Sequence, residues 1–281
     1  MMKSIKLNNG VEMPLLGYGV FQVKPNEAER CVLDAIKTGY RLIDTAQAYF
    51  NEEGVGEAIA KCGVDRSELF ITTKVWVSNS GEKKAYDSIL ESLRKLKTDY
   101  IDLLLIHQPF GDYYGTYRAM EQALKEGKVR AIGVSNFRPD RWIDLVKHVD
   151  VKPSVIQLQT NVFSQQQEMR KLIEDTDTKL MAWAPMAEGQ NNIFVHPLMT
   201  AIGKKYGKSA AQVGLRFLTQ QDIIAIPKST HVERMQQNLE SMDFNLSPND
   251  IDEIKKLNQT DGGNINFTDP QFVNYILTAF G

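Results

Sequence analysis

The sequence predicts an α/β chain closed into one (β/α)8 barrel. Three observations carry that expectation. Short apolar runs alternate with amphipathic stretches eight times within 281 residues. The runs are apolar on both faces, as in Ile101-Asp102-Leu103-Leu104-Leu105-Ile106, which is how buried parallel strands read. No Pro/Gly/Ser-rich linker, low-complexity segment or composition shift interrupts the alternation. A prior of roughly 150 residues per domain would allow two domains, but an α/β barrel of about 250 residues takes this length as one. The unbroken alternation favours a single domain over residues 1–281 rather than two dinucleotide-binding halves.

A hairpin comes first. Ser4-Ile5-Lys6-Leu7 and Glu12-Met13-Pro14-Leu15 flank Asn8-Asn9-Gly10, where Gly supplies a positive φ. The hairpin is expected to plug the N-terminal end of the barrel. Strands are then expected near 15–19, 41–44, 69–75, 101–107, 129–134, 154–159, 179–184 and 222–226. Helices are expected near 25–38, 52–62, 81–97, 114–126, 139–149, 165–175, 197–219 and 231–240. Asn136 and Ser209 read as caps, and Pro25 and Pro139 as first-turn prolines. Gly39 and Gly127 close the first and fourth helices. One further helix is expected near 248–257, and the tail from Thr260 to Gly281, Gly/Asn-rich and then aromatic, has room to fold over the other mouth.

Composition removes several functions. Lys plus Arg is 33 against 35 Asp plus Glu, a net charge of −2, and the pI is near 6.1. That opposes nucleic-acid binding by bulk electrostatics. Cys31 and Cys62 form no CxxC pair, so neither a disulfide framework nor a zinc ribbon is readable. There is no apolar leader, no 18-residue apolar span and no lipidation motif. A cytoplasmic protein without membrane contact is the expectation. His148, His196 and His231 lack ligand spacing, and no metal is expected.

A barrel carries its chemistry at the C-terminal ends of its strands. Asp44, Lys74 and His107 end the second, third and fourth runs, and Tyr49 follows Asp44 on the next loop. The set has a physical logic. A free phenol, with pKa near 10, is a poor acid at neutral pH. A nearby ammonium lowers that value, and a carboxylate holds the ammonium. An imidazole can hold a carbonyl oxygen near the phenol, so the group suits protonation of an oxygen as hydride reaches carbon. Taken singly, Asp44 reads equally well as a loop cap and His107 as a core histidine.

A second signal is anionic. Ile226-Pro227-Lys228-Ser229-Thr230 follows the eighth run, with Arg234 one turn into a helix. Cations, hydroxyls and a helix N-terminus together make a phosphate site. The plain alternative is a capped surface helix. Gly17-Tyr18-Gly19-Val20-Phe21-Gln22 lacks the third glycine of a dinucleotide fingerprint.

These residues resemble the aldo-keto reductase family. Gly39-Tyr40-Arg41-Leu42-Ile43-Asp44-Thr45-Ala46 and Tyr49-Phe50-Asn51-Glu52-Glu53-Gly54-Val55-Gly56 look like its first signature. Leu69-Phe70-Ile71-Thr72-Thr73-Lys74-Val75-Trp76 looks like its lysine strand, and Asp99 to His107 like its histidine strand. Gly133-Val134-Ser135-Asn136-Phe137 and Ile226-Pro227-Lys228-Ser229 are further blocks. The resemblance runs in order from about residue 4 to 275. It implies NADPH-dependent reduction of aldehydes and ketones, with Tyr49 as general acid, Asp44 and Lys74 tuning it, and His107 orienting the carbonyl. It implies that Ser135, Asn136 and Gln157 hold the nicotinamide carboxamide and that Trp183 stacks on the ring. Lys228, Ser229 and Arg234 would hold the 2′-phosphate, and Asn238 the adenine.

Departures fall outside the tetrad. Trp183 stands for the usual tyrosine, Gln108 and Phe21 for frequent tryptophans, and Gln237 for a frequent glutamate. Phe21, Trp76, His107 and Gln108 are expected to line the substrate pocket, with Tyr113 or Tyr114 and Phe267 as further wall. Short loops look like those of compact prokaryotic members, of the 2,5-diketo-D-gluconate and methylglyoxal reductase type. Small polar aldehydes and dicarbonyls are therefore the expected substrates, turned over by a monomer. Two other readings compete: a Schiff-base aldolase using Lys74, and an NADPH-binding regulatory protein of the same fold.

Overall fold

The structure, a computed structural model, describes residues 3–259 and 265–279. Strands β1 (Ser4–Lys6) and β2 (Glu12–Pro14) pair antiparallel as the hairpin, and Gly10 takes φ 89° in its turn. Eight parallel strands follow: β3 (Tyr18–Gly19), β4 (Leu42–Asp44), β5 (Phe70–Val75), β6 (Ile101–Ile106), β7 (Val129–Ser135), β8 (Val155–Gln159), β9 (Lys179–Trp183) and β10 (Ile224–Ala225). Each pairs with its sequence neighbour. The seam closes between the ends of the series. Leu16 bridges Ala225 in parallel, Gly17 N–H donates to Ala225 O at 2.8 Å, and Ala225 N–H donates to Leu15 O at 2.9 Å.

Alternation along the strands separates two cores. Leu42, Phe70, Leu103, Leu105, Val155, Met181 and Ile224 fill the interior, and Leu7 and Met13 of the hairpin are buried in the same cluster. The plug is therefore real. Asn8 Nδ2 fastens it to Pro153 O at 3.1 Å and Thr176 O at 3.2 Å. Ile43, Ile71, Leu104, Ile132 and Ile156 face the other way and pack with the helices.

The helices are α1 (Pro25–Thr38), α2 (Glu52–Lys61), α3 (Glu82–Leu96), α4 (Tyr113–Lys125), α5 (Pro139–His148), α6 (Gln167–Glu174), α7 (Pro197–Tyr206), α8 (Ala210–Thr219), α9 (Val232–Leu239), α10 (Pro248–Lys255) and α11 (Pro270–Ala279). Pro25 and Pro139 occupy first turns, and Gly39 ends α1 at φ 125°. Two expectations fail. The single helix over 197–219 is two helices. Gly207, at φ 65°, ends α7, and Ser209 starts α8 with a capping box to Gln212. Apolar periodicity continues across the break, so periodicity alone did not register it. Asn136 is not a cap: α5 starts after Arg138, and Asn136 sits left-handed at φ 64°. The Gly/Asn-rich stretch 260–264 lies outside the described residues. Beyond it α11 brings Phe272 and Ile276 against Trp76, Val77, Ala48 and Phe110.

Candidate active site

Strand ends deliver the polar groups to one rim. Asp44 is the last residue of β4, and Lys74 is the fifth of six in β5. His107 follows β6, its N–H bonded to Val75 O at 3.1 Å. Lys74 has no exposed surface. Its Nζ donates to Asp44 Oδ1 at 2.6 Å, to Thr45 O at 2.9 Å and to Tyr49 OH at 3.4 Å. Three acceptors use the three hydrogens of an ammonium. Tyr49 therefore meets Lys74 as an acceptor and keeps its own hydrogen for another partner.

The turn that carries Tyr49 is tied down on both sides. Thr45 Oγ1 bonds to Asn51 Oδ1 at 2.7 Å, and Asn51 Nδ2 reaches Val20 O at 3.0 Å and Val23 O at 3.1 Å. Aromatic edges complete the wall. The rings of Tyr49 and His107 lie 5.5 Å apart, those of Trp76 and His107 4.9 Å, and those of Phe21 and Tyr49 5.1 Å.

Burial and charge set the protonation states. Burial pushes the Tyr49 phenol above its ordinary value, while Lys74 pulls it back and Asp44 adds to the rise. The expectation of a net lowering is corrected: enclosure outweighs the ammonium. Burial opposes the Lys74 ammonium, but Asp44 and Tyr49 hold it above its usual range. Burial raises the Asp44 carboxyl against the pull of Lys74 and Gln157. Burial and the Lys74 charge hold His107 well below 6.5, so its ring is neutral.

The other expected residues divide. Gln157 Nε2 donates to Asp44 Oδ2 at 2.8 Å, so it joins the polar chain. Asn136 Nδ2 donates to His107 O at 3.0 Å, and Trp183 Nε1 donates to Asn136 Oδ1 at 3.0 Å. Ser135 Oγ, Gln108 Oε1 and His107 Nδ1 are buried with no hydrogen-bond partner among the described residues. Unpaired polar atoms of that kind are costly unless a ligand answers them. Ser135 pairs in register with Gln157, which fits a carboxamide seat. Ser229 is buried, its Oγ accepting from His231 N–H at 3.1 Å just before α9, while Lys228 and Arg234 are exposed there. Asn238 is buried on the same helix.

The hydroxyls of Tyr113 and Tyr114, expected as further wall, are engaged toward α5. They bond to Asp144 Oδ2 at 2.9 Å and Asp144 O at 3.2 Å, which packs α4 on α5. Phe267 is buried and meets Phe272 edge-on at 5.5 Å, beside a cleft lined by Asn136, Arg138 and Gln159. Sequence reasoning missed Phe110, Phe272 and Ile276. The only signal for Phe272 and Ile276 was an aromatic tail long enough to reach the mouth, whereas Phe110 lies on the loop after β6.

A closed parallel barrel with phenol, ammonium, carboxylate and imidazole at its C-terminal rim defines the barrel oxidoreductases. Comparison with known proteins makes this specific. The model of the Aldo/keto reductase family matches residues 15–259, and the chain belongs to that family. It is 45% identical to glyoxal reductase of Bacillus subtilis over 91% of this chain and 93% of that one. Identity to methylglyoxal reductase DkgA of Escherichia coli is 37%, covering 91% and 93% of the two chains. The Bombyx mori aldo-keto reductase structure, solved in complex with NADP, superposes with a TM-score of 0.88 at 32% identity, covering 98% of this chain and 97% of that one.

Proposed function

We propose that the protein reduces small aldehydes, ketones and dicarbonyls to alcohols with NADPH, using Tyr49 as general acid. The observation that carries this is the saturated Lys74 ammonium, which accounts for all its hydrogens and leaves the phenol proton uncommitted. When bound, NADPH supplies the hydride to the carbonyl carbon. Tyr49 donates its proton to the carbonyl oxygen, and Lys74 stabilises the phenolate left behind. Asp44 keeps Lys74 charged. His107, being neutral, donates one hydrogen bond to the same oxygen without competing as an acid.

Ser135, Asn136 and Gln157 would seat the carboxamide, Asn136 also holding His107 and Trp183 in place, and the Trp183 ring would stack on the nicotinamide. Lys228, Ser229 and Arg234 would take the 2′-phosphate, and Asn238 the adenine. Phe21, Trp76, His107 and Gln108 would face the substrate. The Lys74 geometry opposes the aldolase reading, because a fully hydrogen-bonded ammonium has no lone pair for a carbonyl carbon. The named activities of the Bacillus and Escherichia relatives support small dicarbonyls as the substrate class.

The test is Tyr49→Phe assayed with methylglyoxal, glyoxal, keto-sugars and a steroid ketone. Turnover should fall at least the roughly 10²–10⁴-fold of general acid catalysis, with NADPH binding intact. A folded variant at full rate would overturn the acid assignment. A steroid turned over with higher kcat/KM than methylglyoxal would overturn the substrate class.

A further inference from the structure

Gln47 stands two residues before Tyr49 and takes no part in the chemistry above. Its side-chain amide is nevertheless fully engaged. Oε1 accepts from the Trp76 backbone N–H at 2.9 Å and from Asn79 Nδ2 at 2.9 Å. Nε2 reaches Ser88 O at 3.3 Å, Ser88 Oγ at 3.1 Å and Ser92 Oγ at 3.1 Å. A backbone N–H only donates and a backbone oxygen only accepts, so the amide has one possible orientation. It joins three pieces of chain: the turn of Tyr49, the connection after β5 that holds Trp76, and helix α3. Among the described residues the Tyr49 hydroxyl has one bond, the 3.4 Å contact to Lys74. Its position therefore depends on the turn beneath it.

We infer that Gln47 is a positioning residue that sets the Tyr49 phenol against Lys74 and registers it with the Trp76–His107 wall. The inference rests on Tyr49 being the proton donor. The charged and titratable groups facing the phenol are Lys74 from β5, Asp44 from β4 and His107 after β6. Loosening the turn weakens the Lys74 contact first, because that bond is already long. The phenol then loses the influence that lowers its pKa, and it holds its proton to higher pH.

Three variants test this: Gln47→Met, which loses both ends of the amide; Gln47→Glu, which keeps the accepting oxygen; and the double variant Ser88→Ala/Ser92→Ala. A misplacement of about 1 Å can cost about 100-fold in rate. Gln47→Met should lower kcat by roughly 10- to 100-fold on that scale, leave the NADPH Kd unchanged, and move the basic limb of kcat/KM to higher pH. Gln47→Glu should recover part of kcat, and the double variant should fall between. A parental kcat and pH limb in Gln47→Met overturns the inference. So does a loss across the variants that follows thermal stability alone with the limb unmoved. Should Gln47→Met not fold, the double variant and Gln47→Glu decide by the same two readouts. A fully active Tyr49→Phe defeats the donor assignment itself, whereas an inactive Tyr49→Phe beside an unaltered Gln47→Met defeats only the role of Gln47.

Discussion

Lys74 shows how one buried charge organises a site. An isolated ammonium at zero exposure would be driven neutral. Here three oxygens surround it, one of them a carboxylate, and it stays charged. The tetrad was readable because each member ends a strand or follows one closely, and strand ends can be found from apolar runs. Net electrostatics were not readable. The sign of the Tyr49 shift depends on how deeply the surrounding chain, including the Phe21 and His107 rings, encloses the phenol, which no local spacing encodes. Asn136 was misread for a similar reason: a cap and a left-handed cross-strand bridge both favour Asn. The exposed cations after β10 yield a prediction of their own. Arg234→Ala should weaken NADPH more than NADH, since only NADPH carries the extra phosphate for the guanidinium. Titration of both cofactors by fluorescence would check it, and equal weakening would remove the phosphate role.

Between elements, backbones approach closely where glycine permits. A Cβ on Gly133 of β7 would lie 2.2 Å from Val155 O of β8. That strand pair places Ser135 beside Gln157. Gly133→Ala should therefore cost at least about 1–3 kcal/mol, the usual price of overpacking, and weaken cofactor binding as well. Urea denaturation and NADPH titration of the same variant would test both effects. The order of the eight strands was legible, because short continuous apolar runs stand out plainly from the amphipathic 3.6-residue rhythm between them. The break between α7 and α8 was not: Ile202 and Val213 belong to one continuous apolar rhythm, although Gly207 and Ser209 separate them. Helix α11 was also hidden, since its apolar residues meet the rim of a pocket rather than a helix-packing core.

For the molecule as a whole, stability and chemistry occupy opposite ends. The hairpin fills the floor through Leu7 and Met13, while the Asp44–Lys74–Tyr49 cluster, the proposed site, lies at the mouth. Met13→Ala should cost about 2–5 kcal/mol as a buried truncation and leave kcat/KM near that of the parent. A stability loss accompanied by a matching loss of kcat/KM at low temperature would contradict this separation.

The seam between Leu15–Gly17 and Ala225 has a consequence for how the chain is made. The first barrel strand leaves the ribosome some 200 residues before its last partner exists. Until Ala225 emerges, the growing sheet presents two raw edges to the crowded cell. Such edges invite pairing with other chains, and contacts of long sequence separation form slowly. Nascent chains stalled before residue 225 should therefore recruit chaperones most strongly, and release them when the circle closes.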